Sequence, residues 1–94
     1  MKDIRFLWDT RKNKANVRKH GFDFEEAKSV FYDQYALQYY DPDHSEDEDR
    51  FILLGLSARL NVLIVCHCYR ERNAVIRIIS ARKADKKERE NYRR

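Results

Sequence analysis

Ninety-four residues make one compact domain and are too few for two, so the whole chain, 1–94, is expected to fold as a single unit. With 43% hydrophobic and 38% charged residues, two Gly and one Pro, the composition supports a core under a heavily solvated surface and excludes long flexible linkers. The formal charge is +4, but Asp41, Asp43, Glu46, Asp47, Glu48 and Asp49 share one nine-residue stretch; the remainder carries +10 and attracts polyanions, RNA or DNA first among them. No apolar run approaches the ~20 residues that span a bilayer, and the start M-K-D-I-R-F-L-W lacks the apolar region of a signal peptide, so a soluble cytoplasmic protein is expected.

Ile4 to Trp8 reads as a short strand. Asp9 or Thr10 then caps a helix through Lys12, Ala15, Asn16 and Lys19, and Gly21 stops it. Asp23 and Glu26 have the spacing of a capping box for a second helix, with Phe22 and Ala27 as its hydrophobic staple. Phe24, Ala27 and Phe31 share a helical face, and the helix should end near Tyr32 and Asp33. Tyr35 to Tyr40 is a strand by its aromatics. Asp41-Pro42-Asp43-His44-Ser45 is turn chemistry, and the acids to Asp49 form a solvated loop. Arg50 to Leu56 resumes strand. Two Val/Ile-rich runs, from Val62 to Tyr69 and from Ala74 to Arg82, joined by R-E-R-N, make a hairpin. Asp85 and Glu88 open a last, charged helix. The expected order is β-α-α-β-β-β-β-α: an α+β fold, with an antiparallel sheet of four to five strands and helices from both ends on one face.

Cys66-His67-Cys68 has the residue types of a metal site but not the geometry. In a strand, Cys66 and Cys68 share one face and His67 points to the other. No second ligand pair stands at zinc-like spacing, so neither a metal nor another cofactor is expected, and the cysteines read as reduced core residues. His67 shares its face with Leu63, Val65 and Tyr69, which fits a buried imidazole satisfied by a hydrogen bond; were it accessible, it could transfer protons. The arginines are the stronger signal. Arg77 interrupts an apolar strand, where an unpaired charge is costly unless it meets solvent or a ligand. Arg82 follows five residues later, Arg70 and Arg72 sit at the hairpin turn, and Arg89 and Tyr92 share a helical face. Guanidinium groups grip phosphate bidentately and stay charged.

Three blocks carry a resemblance. W-D-x-x-K-x-x-x-N-x-x-K-H-G-F-D-F-E-E-A (Trp8 to Ala27), D-P-D-H-S-E-D-E-D-R (Asp41 to Arg50) and R-I-I-S-A-R-K-A-D-K-K-E-R-E-N-Y (Arg77 to Tyr92) resemble, in the same order, the signatures of BrnT-type toxins. The resemblance implies a RelE-like fold and a ribonuclease toxin of a type II toxin–antitoxin pair. It implies as partner a BrnA-type antitoxin with a ribbon-helix-helix part, which takes the complex to promoter DNA.

The chemistry implied is metal-independent attack of a ribose 2′-hydroxyl on its own phosphodiester, leaving a 2′,3′-cyclic phosphate and a 5′-hydroxyl. Such a site needs cations where charge builds on phosphorus, and groups that move protons. Arg77 and Arg82 are assigned as those cations, His67 and Tyr92 to proton transfer or base stacking, and Arg50, Arg72 and Arg89 to RNA binding. The competing reading is a non-catalytic module that binds nucleic acid or holds the antitoxin. It keeps the basic surface and needs no proton-transfer group beside it.

Overall fold

The computed structural model describes residues 4–92. Strand β1 (Arg5–Leu7) leads into helices α1 (Thr10–His20) and α2 (Phe24–Ser29), and a 3-10 turn (Val30–Tyr32) follows. Strand β2 (Leu37–Tyr40), a second 3-10 turn (Pro42–His44) and strands β3 (Arg50–Leu56), β4 (Val62–Arg70) and β5 (Val75–Lys83) come next, and helix α3 is Lys86–Tyr92.

The helix limits follow from local chemistry. The Asp9 carboxylate accepts from the backbone N–H of Arg11 and Lys12 and starts α1. Gly21 ends it at φ +83°, a left-handed conformation that costs glycine little. Asp23 caps α2 through the Glu26 N–H. The reciprocal half of that expected capping box is absent. The Glu26 carboxylate instead accepts from Ser57 Oγ and Asn61 Nδ2, both at 2.7 Å, and so holds the β3–β4 turn against α2. The Asp85–Glu88 box is complete, with Glu88 N–H given to Asp85 and Asp85 N–H given to Glu88.

The five strands form one sheet in the order β1-β5-β4-β3-β2. Strands β2 to β5 are an antiparallel meander, while β1 pairs with β5 in parallel, Phe6 beside Ile76. The sheet is therefore mixed, which corrects the antiparallel expectation. Short turns dictate antiparallel pairing only between strands they join, and β1 is joined to the far edge through two helices.

A second correction concerns the layers. Helices α1 and α2 cover one face, where Phe24, Ala27 and Val30 pack on Leu53, Leu63, Val65, Ile76, Ile78 and Ala81. The other face carries Leu54, Ile64 and Ala84, with Tyr92 of α3 packed against them. The end helices thus sit on opposite faces. Both faces of β3 and β4 are apolar in alternation, so a helix on one side alone would have left Leu54 and Ile64 in water. Asn16 fixes α1 to the sheet: buried, it donates to the carbonyls of Phe22 and Ala81 and accepts the Ala81 N–H. Gly55 lets β3 pass under the 3-10 turn, since a Cβ there would stand 2.8 Å from Val30 Cγ1.

Candidate functional site

Cross-strand partners share a face, so the register sorts the arginines. Arg50 on β3 lies opposite Cys68 on β4, and Cys68 lies opposite Arg77 on β5. Cys66 pairs with Ser80, and Ile64 with Arg82. Between these pairs the register slips: His67 faces Ile78 and Cys66 faces Ser80, which leaves Ile79 without a partner. This bulge decides the site. In an unbroken strand, residues five apart point to opposite faces, and either Arg77 or Arg82 would enter the α1/α2 core. The extra residue brings both to the α3 face. Arg70, two residues beyond Cys68, joins them there.

That face has two halves. Helix α3 closes one over Leu54, Ile64, Ala84 and Tyr92. The other half is open and carries Arg50, Arg70 and Arg77 around the buried Cys68. Two carboxylates reach in. Glu88 of α3 takes both terminal nitrogens of Arg82 at 2.8 Å, in a bidentate fork that holds its carboxyl below the ordinary value. Glu48, from the acidic loop, accepts from Arg70 at 2.5 Å and stands 3.7 Å from Arg50 Nε. The bond from Arg70 keeps Glu48 ionised below the usual carboxylate range. Burial, then the nearby Glu48 charge, pushes the Cys68 thiol up. The buried Nε of Arg50 has no hydrogen-bond partner, and Arg77 makes no ion pair among the described residues.

The remaining sequence-predicted residues divide. Tyr92 stands on the α3 side, with its hydroxyl donated to Asp33 at 2.6 Å. Arg89, on α3, donates to the Ala84 carbonyl. Arg72 is exposed in the β4–β5 turn, where Glu71, Arg72 and Asn73 all have positive φ. His67 is elsewhere. It is 0% exposed on the α1/α2 face, Nδ1 3.1 Å from the Val65 carbonyl and Nε2 2.9 Å from the Gln38 side-chain oxygen. Phe31, Phe51 and Tyr69 surround its ring, and burial lowers its pKa from 6.5 to about 4. The proton-transfer role assigned to His67 therefore has no geometric support at the arginine face, because the sheet itself separates them. Cys66 and Cys68 are free thiols, and no group of three or more possible metal ligands occurs among the described residues.

Two features of the site lie outside the sequence-based expectations. Glu48 reads as one solvated acid of a run, distinguished only by its place two residues before Arg50. The bulge could have been inferred, because Arg77 and Arg82 in one uninterrupted strand force a guanidinium into the core. The acidic stretch is also less uniformly solvated than expected: Asp41 is buried and accepts from His44 Nδ1. On the opposite sheet face a groove of about 700 Å³ is lined mainly by apolar and aromatic groups, Phe6, Phe31, Tyr32 and Tyr69 among them.

Among the described residues no helix is long and apolar enough to cross a membrane. No curated protein sequence matches the chain. The crystal structure of the Brucella abortus ribonuclease toxin BrnT is similar in fold, with TM-score 0.64 and 22% identity over 88% of this chain and 99% of that one. The family model described as the ribonuclease toxin BrnT of type II toxin–antitoxin systems matches residues 8–88, which takes in every arginine of the open face. The chain belongs to the BrnT family of type II toxin–antitoxin ribonuclease toxins.

Proposed function

We propose that this chain cleaves RNA at the open arginine half of the α3 face. The observation that carries the reading is Arg77: half-buried, without an ion-pair partner among the described residues, and in one row with Arg50 across β4. A guanidinium held there without a carboxylate is set to receive an external anion.

The chemistry that suits it is RelE-like and metal-independent. The 2′-hydroxyl attacks the adjacent phosphorus, the 2′-O–P bond forms and the P–O5′ bond breaks. The products are a 2′,3′-cyclic phosphate and a 5′-hydroxyl. Arg77 and Arg50 balance the charge that grows on the non-bridging oxygens. Arg82 sets the position of α3 through Glu88 and adds to the field. Tyr92 is the proton-transfer candidate on this side of the sheet. Arg72 and Arg89 extend the basic surface along the RNA. The partner is a BrnA-type ribbon-helix-helix antitoxin that neutralises the toxin and carries the complex to promoter DNA.

Purified protein is tested on a labelled RNA with EDTA present, beside Arg77→Ala. Parent cleavage survives EDTA, and the variant loses about 100- to 1,000-fold in rate, the usual effect of removing one well-placed charge-stabilising donor. An Arg77→Ala protein that folds normally and cuts as fast as the parent sinks the assignment.

Two observations favour the second reading, a binding module without catalysis. The imidazole lies across the sheet from the arginines, and Arg82 is neutralised by Glu88. That module would bind the RNA, show no cleavage with or without translating ribosomes, and leave growth unaffected when expressed without antitoxin.

A further inference from the structure

The arginine face is not empty of anions. Of the six acids between Asp41 and Asp49, Glu48 alone ion-pairs with arginine among the described residues. Its side chain is only 27% exposed, whereas four of its five acidic neighbours in the run are exposed residues. The loop therefore folds one carboxylate onto the strands and leaves most of the others in water.

The fit there is partial. One Glu48 oxygen accepts from Arg70, while the other stops 3.7 Å from Arg50 Nε, beyond hydrogen-bond reach. That Nε is buried and has no acceptor. A carboxylate is planar and presents two oxygens; a phosphodiester is tetrahedral and spreads its oxygens wider. The second shape can serve Arg70 and the orphaned Arg50 Nε together, with Arg77 in the same row. A buried donor left unmet favours whichever ligand meets it.

We propose that Glu48 is an internal stand-in for the RNA phosphate: its carboxylate fills the guanidinium site between Arg50 and Arg70 in the free protein, and an RNA phosphodiester displaces it on binding. The acidic loop thereby sets how tightly the basic surface holds RNA. Random polyanions meet a site already occupied. An RNA that also engages Arg77 and its surroundings gains enough to move the carboxylate out. The proposal rests on the reading of the α3 face as the RNA site.

The test uses the whole chain and a short single-stranded oligoribonucleotide with every 2′-oxygen methylated, which blocks attack at phosphorus. Glu48→Gln keeps the shape and removes the charge. It should bind the probe about two- to five-fold more tightly than the parent, the equivalent of a partly exposed ion pair no longer competing. In the unsubstituted protein, the NMR signal of the Glu48 side-chain carboxyl carbon should move toward that of an exposed glutamate as the probe saturates. Glu48→Gln binding no tighter than the parent, or a Glu48 signal unmoved at saturation, overturns the stand-in role. Arg77→Ala separates the two levels. If that variant binds and cuts like the parent, the RNA site is elsewhere and both readings fall. If it is impaired while Glu48→Gln is no tighter, only the stand-in role falls.

Discussion

His67 has two oxygens against its ring nitrogens and three aromatic rings around it. Burial away from water lowers its pKa from 6.5 to about 4, and the Val65 carbonyl, which favours the imidazolium, offsets only part of that. The consequence for stability has a definite sign. Between these values the unfolded chain binds a proton that the folded chain refuses, so stability is full above about pH 6.5 and declines as pH falls toward about 4. The whole shift corresponds to on the order of 3 kcal/mol. Urea unfolding at pH 7 and pH 5 should show the decline, and His67→Gln should flatten it. The same substitution should leave RNA cleavage within a few-fold of the parent. A loss as large as that of Arg77→Ala would instead return the imidazole to the reaction. The residue pattern L-I-V-C-H-C already placed His67 on a face with Leu63 and Val65. What it did not contain was Gln38, twenty-nine residues away, which supplies the second contact.

Helix α3 has seven residues, none of them buried, too few to be stable alone. It is held by its complete capping box, by Tyr92 against Leu54 and Ile64, and by the Arg82–Glu88 fork from β5. Loss of Arg82 therefore acts on the element as well as on charge. With the fork partly exposed and screened by solvent, it contributes about 1 kcal/mol. Arg82→Ala and Glu88→Gln should each loosen α3 to a similar degree, and the double variant should cost little more than either alone. Amide exchange along Lys86–Tyr92 measures this. Fully additive losses would show that the two residues act independently. Element boundaries were legible wherever a cap was written into the sequence, as at Asp9, Gly21, Asp23 and Asp85. Element placement was not. Nothing local in Lys86 to Tyr92 says which sheet face it will cover, and nothing local in Arg5–Leu7 says that its neighbour is β5. Those choices depend on both faces of β3 and β4 needing cover, which is a property of the assembled sheet.

At the scale of the molecule, the two sheet faces differ in kind. One ends in an apolar, aromatic groove and the other in a field of guanidinium groups. RNA held by the second should respond to salt. For two or three phosphates contacted, log affinity should fall against log salt with a slope of about −1.5 to −2, and Arg77→Ala should reduce that slope by about 0.7. Binding indifferent to salt would shift the contact to the groove. The acidic stretch and the basic remainder were plain in the composition. That the first bends back onto the second, through Glu48, required the fold.

The parallel pairing of β1 with β5 joins Arg5 to Val75, about seventy residues apart along the chain. A ribosome adding roughly 5–20 residues per second delivers β5 several seconds after β1. Until then the first strand has no partner, and α1 and α2 have only part of the surface they cover. Arg77, made on the same last strand, arrives at the same moment as the closure of the sheet. The order of synthesis thus delays both the closed sheet and the finished guanidinium row until β5 has been made, so the cell that translates it meets the complete surface late and all at once.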